Sequence, residues 1–184
     1  FDFTRKYPKS NHRKESWDLL TLSLLNTNNY PQVIGIIEKN SEIRKGNEAL
    51  YQEICYTQAV NAYNDGDTIN AVKYLGKSLL EPVDKPLEAE AHYLKAEILT
   101  RLNDIKYALV EYNETYRLIK RNNILFAQNA NLFNVHYGIG YCEYYLGNYD
   151  DALHQFLNSA KNYKYSQNEP ISNTMQDADL RIAD

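Results

Sequence analysis

The sequence predicts an all-α fold, a solenoid of stacked helix pairs, on three observations. First, the stretch YGIGYCEYYLGNYDDALHQF (Tyr137 to Phe156) carries aromatic residues at helical spacing, then a Gly147-Asn148 turn, then the acidic first turn of another helix at Asp150-Asp151. Second, the pattern recurs: AHYLKAEILTRLNDIKYALVEY (Ala91 to Tyr112) aligns without a gap on VHYGIGYCEYYLGNYDDALHQF, pairing His92 with His136, Tyr93 with Tyr137, Leu102 with Leu146, Ala108 with Ala152 and Tyr112 with Phe156. Third, the glycines have no strand before them, so they are not a phosphate-cradling loop. Gly138 and Gly140 inside a helix cost about 1 kcal/mol each relative to Ala, and a close neighbouring helix is the usual reason to accept that.

Taken in order, the opening FDFTRKYPKS reads as the last turns of a second helix closed by Pro8, a partial repeat over 1–9. SWDLLTLSLLNTNNYPQVIGII (Ser16 to Ile37) is a weaker copy, with Trp17, Thr21, Tyr30, Val33 and Ile37 in frame, in a repeat over 12–40. ICYTQAVNAYNDGDTINAVKYL (Ile54 to Leu75) supplies Tyr56, Ala59, Gly66-Asp67, Ala71 and Leu75 within 48–81. The third and fourth repeats span 86–121 and 129–164, with Ala96 and Gly140 as their small first-helix residues and Gly147, Tyr149, Ala152 and Phe156 completing the fourth. The closing DADLRIAD matches half of a following first helix, a partial repeat over 172–184. Both termini thus fall inside repeats, which points to a segment of a longer array.

These features resemble the tetratricopeptide repeat family, whose unit is a helix pair with a bulky residue, a small one, a tyrosine or glycine at the turn, then A-x-x-x-F. The resemblance implies a right-handed superhelix of antiparallel pairs, with about four full repeats. Ala71, Ala108 and Ala152 stand 37 and 44 residues apart, longer than the minimal period of about 34. EPVDKPLEAE and KRNNILFAQN are the linkers expected to carry the excess. Each pair has an apolar face that only a neighbour can cover, and burying one large side chain of that seam contributes about 1.5–3 kcal/mol.

Charge and chemistry narrow the function. Twenty basic against twenty-four acidic residues give a net charge of −4, which disfavours nucleic acid. The clusters TRKYPKSNHRK and RLIKRNN read as solvated surface or a helix C-terminus. No apolar run is long enough to span a membrane. Cys55 and Cys142 lack metal-ligand spacing and read as small core residues. Cys55, His92 and His136 share one place in successive first helices, but repeats stand too far apart for the roughly 2 Å reach of one zinc ion. The acids Glu88, Glu90, Asp150 and Asp151 fall in helix first turns, where they complement the dipole. No motif activates a nucleophile. The reading is of a non-enzyme with no catalytic, cofactor or metal site and no small-molecule substrate.

What remains is a surface. In the repeat family the first helices line the concave face, and by register this chain places there Tyr56, Val60 and Tyr63, then Tyr93, Glu97 and Arg101 beside Glu90, then Tyr137, Tyr141, Tyr144 and Tyr145. Tyrosine joins a large apolar body to a hydrogen-bonding tip, which suits protein interfaces. For any one ring, packing between helices accounts for the position equally well; as a set they read as a protein-binding groove. Chaperone-binding members hold a C-terminal carboxylate with lysines and asparagines, where this chain has Asp18, Leu22, Tyr56, Val60, Tyr93 and Glu97, so an acidic tail is a poor ligand.

The order of the repeats and the lengths of their linkers further resemble the repeat block of the PorW/SprE family of type IX secretion and gliding motility lipoproteins. That resemblance implies a scaffold joining secretion-machine components at the periplasmic face of the outer membrane, anchored by a lipid outside this segment. The alternatives are another repeat adaptor, either an outer-membrane assembly lipoprotein or a peptide-binding cytoplasmic regulator, and a module attached to an enzyme.

Overall fold

Four helix ends are closed by the same three-residue turn, and the middle residue of each is left-handed: Asn28 (φ 55°), Gly66 (φ 81°), Asn103 (φ 61°) and Gly147 (φ 82°). Those four positions coincide in the self-alignment of the sequence. In the last three turns the backbone closes identically: Asp67, Asp104 and Asn148 donate to the carbonyls of Ala62, Leu99 and Glu143 at 2.8, 2.8 and 2.9 Å. This six-to-one bond, with a left-handed residue before the donor, is the Schellman arrangement, which satisfies carbonyls that the helix end would otherwise leave orphaned. Glycine takes the left-handed position at no steric cost; asparagine is the next best residue there.

The computed structural model describes residues 6, 7, 10–124, 129–163 and 173–183, which are helical apart from turns and connectors and contain no strand. The fold class is therefore all-α. Of the partial repeat over 1–9, only Lys6 and Tyr7 are described, and the middle of the KRNNILFAQN linker lies outside the described residues.

The chain divides into two compact units, Phe1–Val83 and Asp84–Asp184. The first holds α1 (Arg13–Asn26), α2 (Tyr30–Lys39), α3 (Ser41–Arg44), α4 (Glu48–Asn64) and α5 (Thr68–Ser78). Its core is aliphatic: Val33, Ile34, Ile36 and Ile37 of α2 pack with Ile43, Tyr51, Ile54 and Cys55, and Leu20, Tyr30, Leu50 and Tyr74 close the edges. The short α3 was not expected from the sequence. Its Ile43 is buried in this core, which holds the turn in place.

The second unit holds α6 (Lys85–Arg101), α7 (Ile105–Asn122), α8 (Leu132–Tyr145), α9 (Tyr149–Tyr163) and α10 (Asn173–Ala183). Here α6 packs on α7, α7 on α8, α8 on α9 and α9 on α10. EPVDKPLEAE is only partly a linker. Asp84 accepts from the backbone N–H of Leu87 at 2.9 Å and Pro86 sits in the first turn, so the helix starts at Lys85 and absorbs the rest.

Many of the repeat positions lie in the packed interior. Ala59, Ala71, Ala96, Ala108 and Ala152 are buried, as are Leu75, Tyr112 and Phe156 at the aromatic place and Val33 and Ile37 at the matching places of α2. The side chain of Trp17 lies outside the described residues. Gly138 and Gly140 are packing residues: a Cβ on Gly138 would stand 2.4 Å from Cζ of Tyr112, and one on Gly140 2.8 Å from Cε1 of Phe156. Hydrogen bonds repeat as well. The buried Ser78 and Ser159 hydroxyls donate to the carbonyls of Gln52 and Phe133, each 26 residues upstream, at 2.8 and 2.9 Å. His92 meets Glu111 at 2.5 Å and His136 meets Gln155 at 2.7 Å, each partner 19 residues on.

Candidate protein-binding surface

In the first unit Tyr56, Val60 and Tyr63 lie half-buried along α4 at helical spacing. The polar organisation of this unit was not legible in the sequence. Tyr51 Oη donates to Glu38 Oε1 at 2.7 Å, Lys77 Nζ donates to the same oxygen at 2.6 Å, and the Arg44 guanidinium stands 5.2 Å over the Tyr51 ring. Burial raises the Glu38 carboxyl, but the hydrogen bonds from Lys77 and Tyr51 with the nearby cations outweigh it and hold the group below the usual carboxylate range. Glu38, Tyr51 and Lys77 belong to three helices, and no local spacing marks them as partners.

In the second unit the register places the tyrosines on one side of their helices, but most of the rings point into packing. Tyr93 is half-buried, with its ring edge-on to Tyr112 at 5.8 Å. Glu97 accepts from the Tyr112 hydroxyl at 2.5 Å, while Arg101 is exposed at the helix end. Tyr137 and Tyr141 pack edge-on to Phe156 at 6.0 and 5.7 Å. Both hydroxyls donate to Asp177 Oδ2 of α10, Tyr137 at 2.9 Å. Arg181, one turn further along α10, stands over the rings of Tyr141 and Tyr144 at 5.6 and 5.5 Å. Burial pushes both phenols up, followed for Tyr137 by the hydrogen bonds with Tyr141 and Asp177 and for Tyr141 by the one to Asp177, so both remain donors at neutral pH. Asp177 and Arg181 thus seat α10 together with Ala178 and Ile182, which pack on Ala152 and Phe156. In the sequence they were simply part of DADLRIAD, whose charge gave no hint of the partner.

Exposed ring surface concentrates at the α8–α9 turn. Tyr144, Tyr145 and Tyr149 are 38, 61 and 65 % exposed, and Tyr144 meets the other two edge-on at 6.0 and 5.6 Å. By its place in the repeat, Tyr149 is expected in the structural framework along with Tyr30. Tyr30 does pack on the first unit's core, whereas Tyr149, the first residue of α9, leans outward on Tyr144. Leu153 and Leu157 extend the exposed apolar stripe along α9.

The acids divide in role. Glu90 is not a free first-turn carboxylate: it accepts from the backbone N–H groups of Asn129 and Ala130 at 2.8 and 3.2 Å and ties the start of the α8 segment to α6. Asp150 and Asp151 are exposed in the first turn of α9. The shared place of Cys55, His92 and His136 is occupied by pairing and packing: His92 on Glu111, which also takes Lys95 at 2.6 Å, His136 on Gln155, and Cys55 in the first unit's core. Burial pushes both the Cys55 and Cys142 thiols up to about 12, which keeps them protonated and poor nucleophiles. Among the described residues no three His, Cys, Asp or Glu side chains are placed to hold a metal ion, and no helix is long and apolar enough to cross a membrane. Compared with protein-family models the chain finds no match, and compared with curated proteins it finds none either.

Proposed function

We propose that this chain is a tetratricopeptide-type array of helix pairs that acts as a non-catalytic protein-binding scaffold. One observation carries the reading: the interior of each pair is kept while its face changes. The turn residue, the small first-helix residue and the buried aromatic or leucine recur at Gly66, Asn103 and Gly147, at Ala59, Ala96 and Gly140, and at Leu75, Tyr112 and Phe156. Beside them, the exposed position that ends each first helix changes, from Asn64 to Arg101 to Tyr145. Uniform packing under a non-uniform surface is how a repeat array presents a specific binding face. The order of the repeats and the resemblance drawn from it favour a scaffold of a type IX secretion or gliding apparatus at the outer membrane, its lipid anchor elsewhere in the parent chain.

A photo-crosslinking amino acid at exposed Tyr145 of the parent protein, irradiated in cells, tests this. Adducts with secretion-machine proteins support the scaffold. An absence of protein adducts at Tyr145 and at exposed Arg101, with the parent folded and expressed, overturns it.

A further inference from the structure

The α8–α9 turn carries a more specific chemistry, and the proposal rests on the scaffold reading. We propose that Tyr145 and Tyr149, with Tyr144 behind them, dock an arginine-bearing extended segment of a partner protein. Three observations converge. The neighbouring rings already hold a guanidinium: Arg181 stands 5.6 and 5.5 Å over Tyr141 and Tyr144, within the roughly 6 Å reach of a cation–π contact. Tyr145 and Tyr149 have the same ring chemistry at 61 and 65 % exposure. Both meet Tyr144 edge-on, at 80° and 69°, which gathers the three rings into one patch.

Charge selects the ligand. From Glu143 to Asp151 the chain has three acids, Glu143, Asp150 and Asp151, and no lysine or arginine, and Arg181, which reaches Tyr144 from α10, is paired with Asp177 at 3.8 Å, so the net charge around the turn is negative. A phosphate, an acidic peptide or an anionic lipid surface would be repelled, whereas an arginine gains both the ring face and the carboxylate rim. The stripe continues along α9 through exposed Leu153 and Leu157, which gives apolar side chains of the same segment a place to lie. Arginine is favoured over lysine because its planar guanidinium stacks on aromatic faces.

The test is fluorescence anisotropy on the whole chain with short capped peptides alternating serine with arginine, citrulline or glutamate. Citrulline keeps the shape and removes the charge. The arginine peptide is expected to bind, the other two to bind far more weakly, and Tyr145→Ala with Tyr149→Ala to weaken binding about fivefold to thirtyfold, the sum of two exposed cation–π contacts. Tyr145→Phe with Tyr149→Phe keeps the ring faces and should retain the affinity, while Asp150→Asn with Asp151→Asn should weaken it and flatten its salt dependence. Equal binding by the double alanine variant, equal binding of the citrulline peptide, or no binding by the native chain overturns the proposal. The scaffold reading fails separately: it falls if Tyr145 and Arg101 crosslink to no protein in cells, whatever peptide the isolated chain prefers.

Discussion

Adding one methyl group to a helix-interior glycine should have opposite effects at two places in this chain. Alanine gains about 1 kcal/mol over glycine in a helix interior. At Gly76 in α5 a new Cβ meets no atom within 4 Å, so Gly76→Ala should stabilise by up to about 1 kcal/mol. At Gly138 in α8 the new Cβ would lie 2.4, 2.5 and 2.9 Å from Cζ, Cε1 and Cε2 of Tyr112. Carbon atoms rest at about 3.5–4.0 Å, so the ring must retreat by about 1 Å. It has little freedom to do so: Tyr112 is buried, lies edge-on to Tyr93 and donates to Glu97. Overpacking costs about 1–3 kcal/mol and loss of a hydrogen bond to a charged acceptor about 1.5–3, so after the helical gain Gly138→Ala should destabilise by about 1.5–5 kcal/mol. Urea unfolding followed by circular dichroism measures both variants. In a Tyr112→Leu background the penalty should vanish, giving a coupling of at least about 1 kcal/mol. If Gly138→Ala stabilises as Gly76→Ala does, the close approach of α7 to α8 is wrong.

Other expectations follow from the same geometry. Asp177→Ala removes the acceptor of the Tyr137 and Tyr141 hydroxyls, so amide exchange in α10 should accelerate while α6 and α7 are unchanged. At Asn103, Ala should cost about 1–2 kcal/mol because the left-handed backbone strains a Cβ, whereas Gly should be tolerated. Burial raises the Glu111 carboxyl, but hydrogen bonds from His92 and Lys95 outweigh it and leave the folded group below its ordinary value. The stability it contributes is therefore complete above the unfolded value of about 4.3 and is lost as pH falls through the folded one; Glu111→Gln should make the acid-side fall in a pH series of urea midpoints shallower. His136 is held neutral, its affinity for a proton lowered by burial more than Gln155 restores. Its contribution is present above about pH 6.5 and is lost below, so His136→Gln should remove that part of the pH dependence.

Much of the fold was legible because repetition lets one segment interpret another. Ala108 and Ala152, or Tyr112 and Phe156, are ambiguous singly and informative as an aligned pair, and each proved buried. Asn103 and Asn28 were less visible, since asparagine takes the left-handed turn only with less ease than the glycine beside which it aligns. The α3 turn was missed because four residues carry no period. The candidate surface was legible in register but not in direction. Helical spacing put Tyr93, Tyr137 and Tyr141 on one side; it could not show that Tyr112, Phe156 and Asp177, from other helices, would claim those rings. The exposed rings at Tyr145 and Tyr149 lie at helix ends, where a neighbour covers less of each side chain.

The most direct test of the scaffold is quantitative affinity capture from envelope extract with the native chain, with Tyr145→Ala plus Tyr149→Ala, and with an unrelated helical-repeat protein as control. Secretion-machine proteins enriched on the native chain and depleted on the folded double variant are the predicted result. Identical captures by the native chain and the unrelated control would contradict the account.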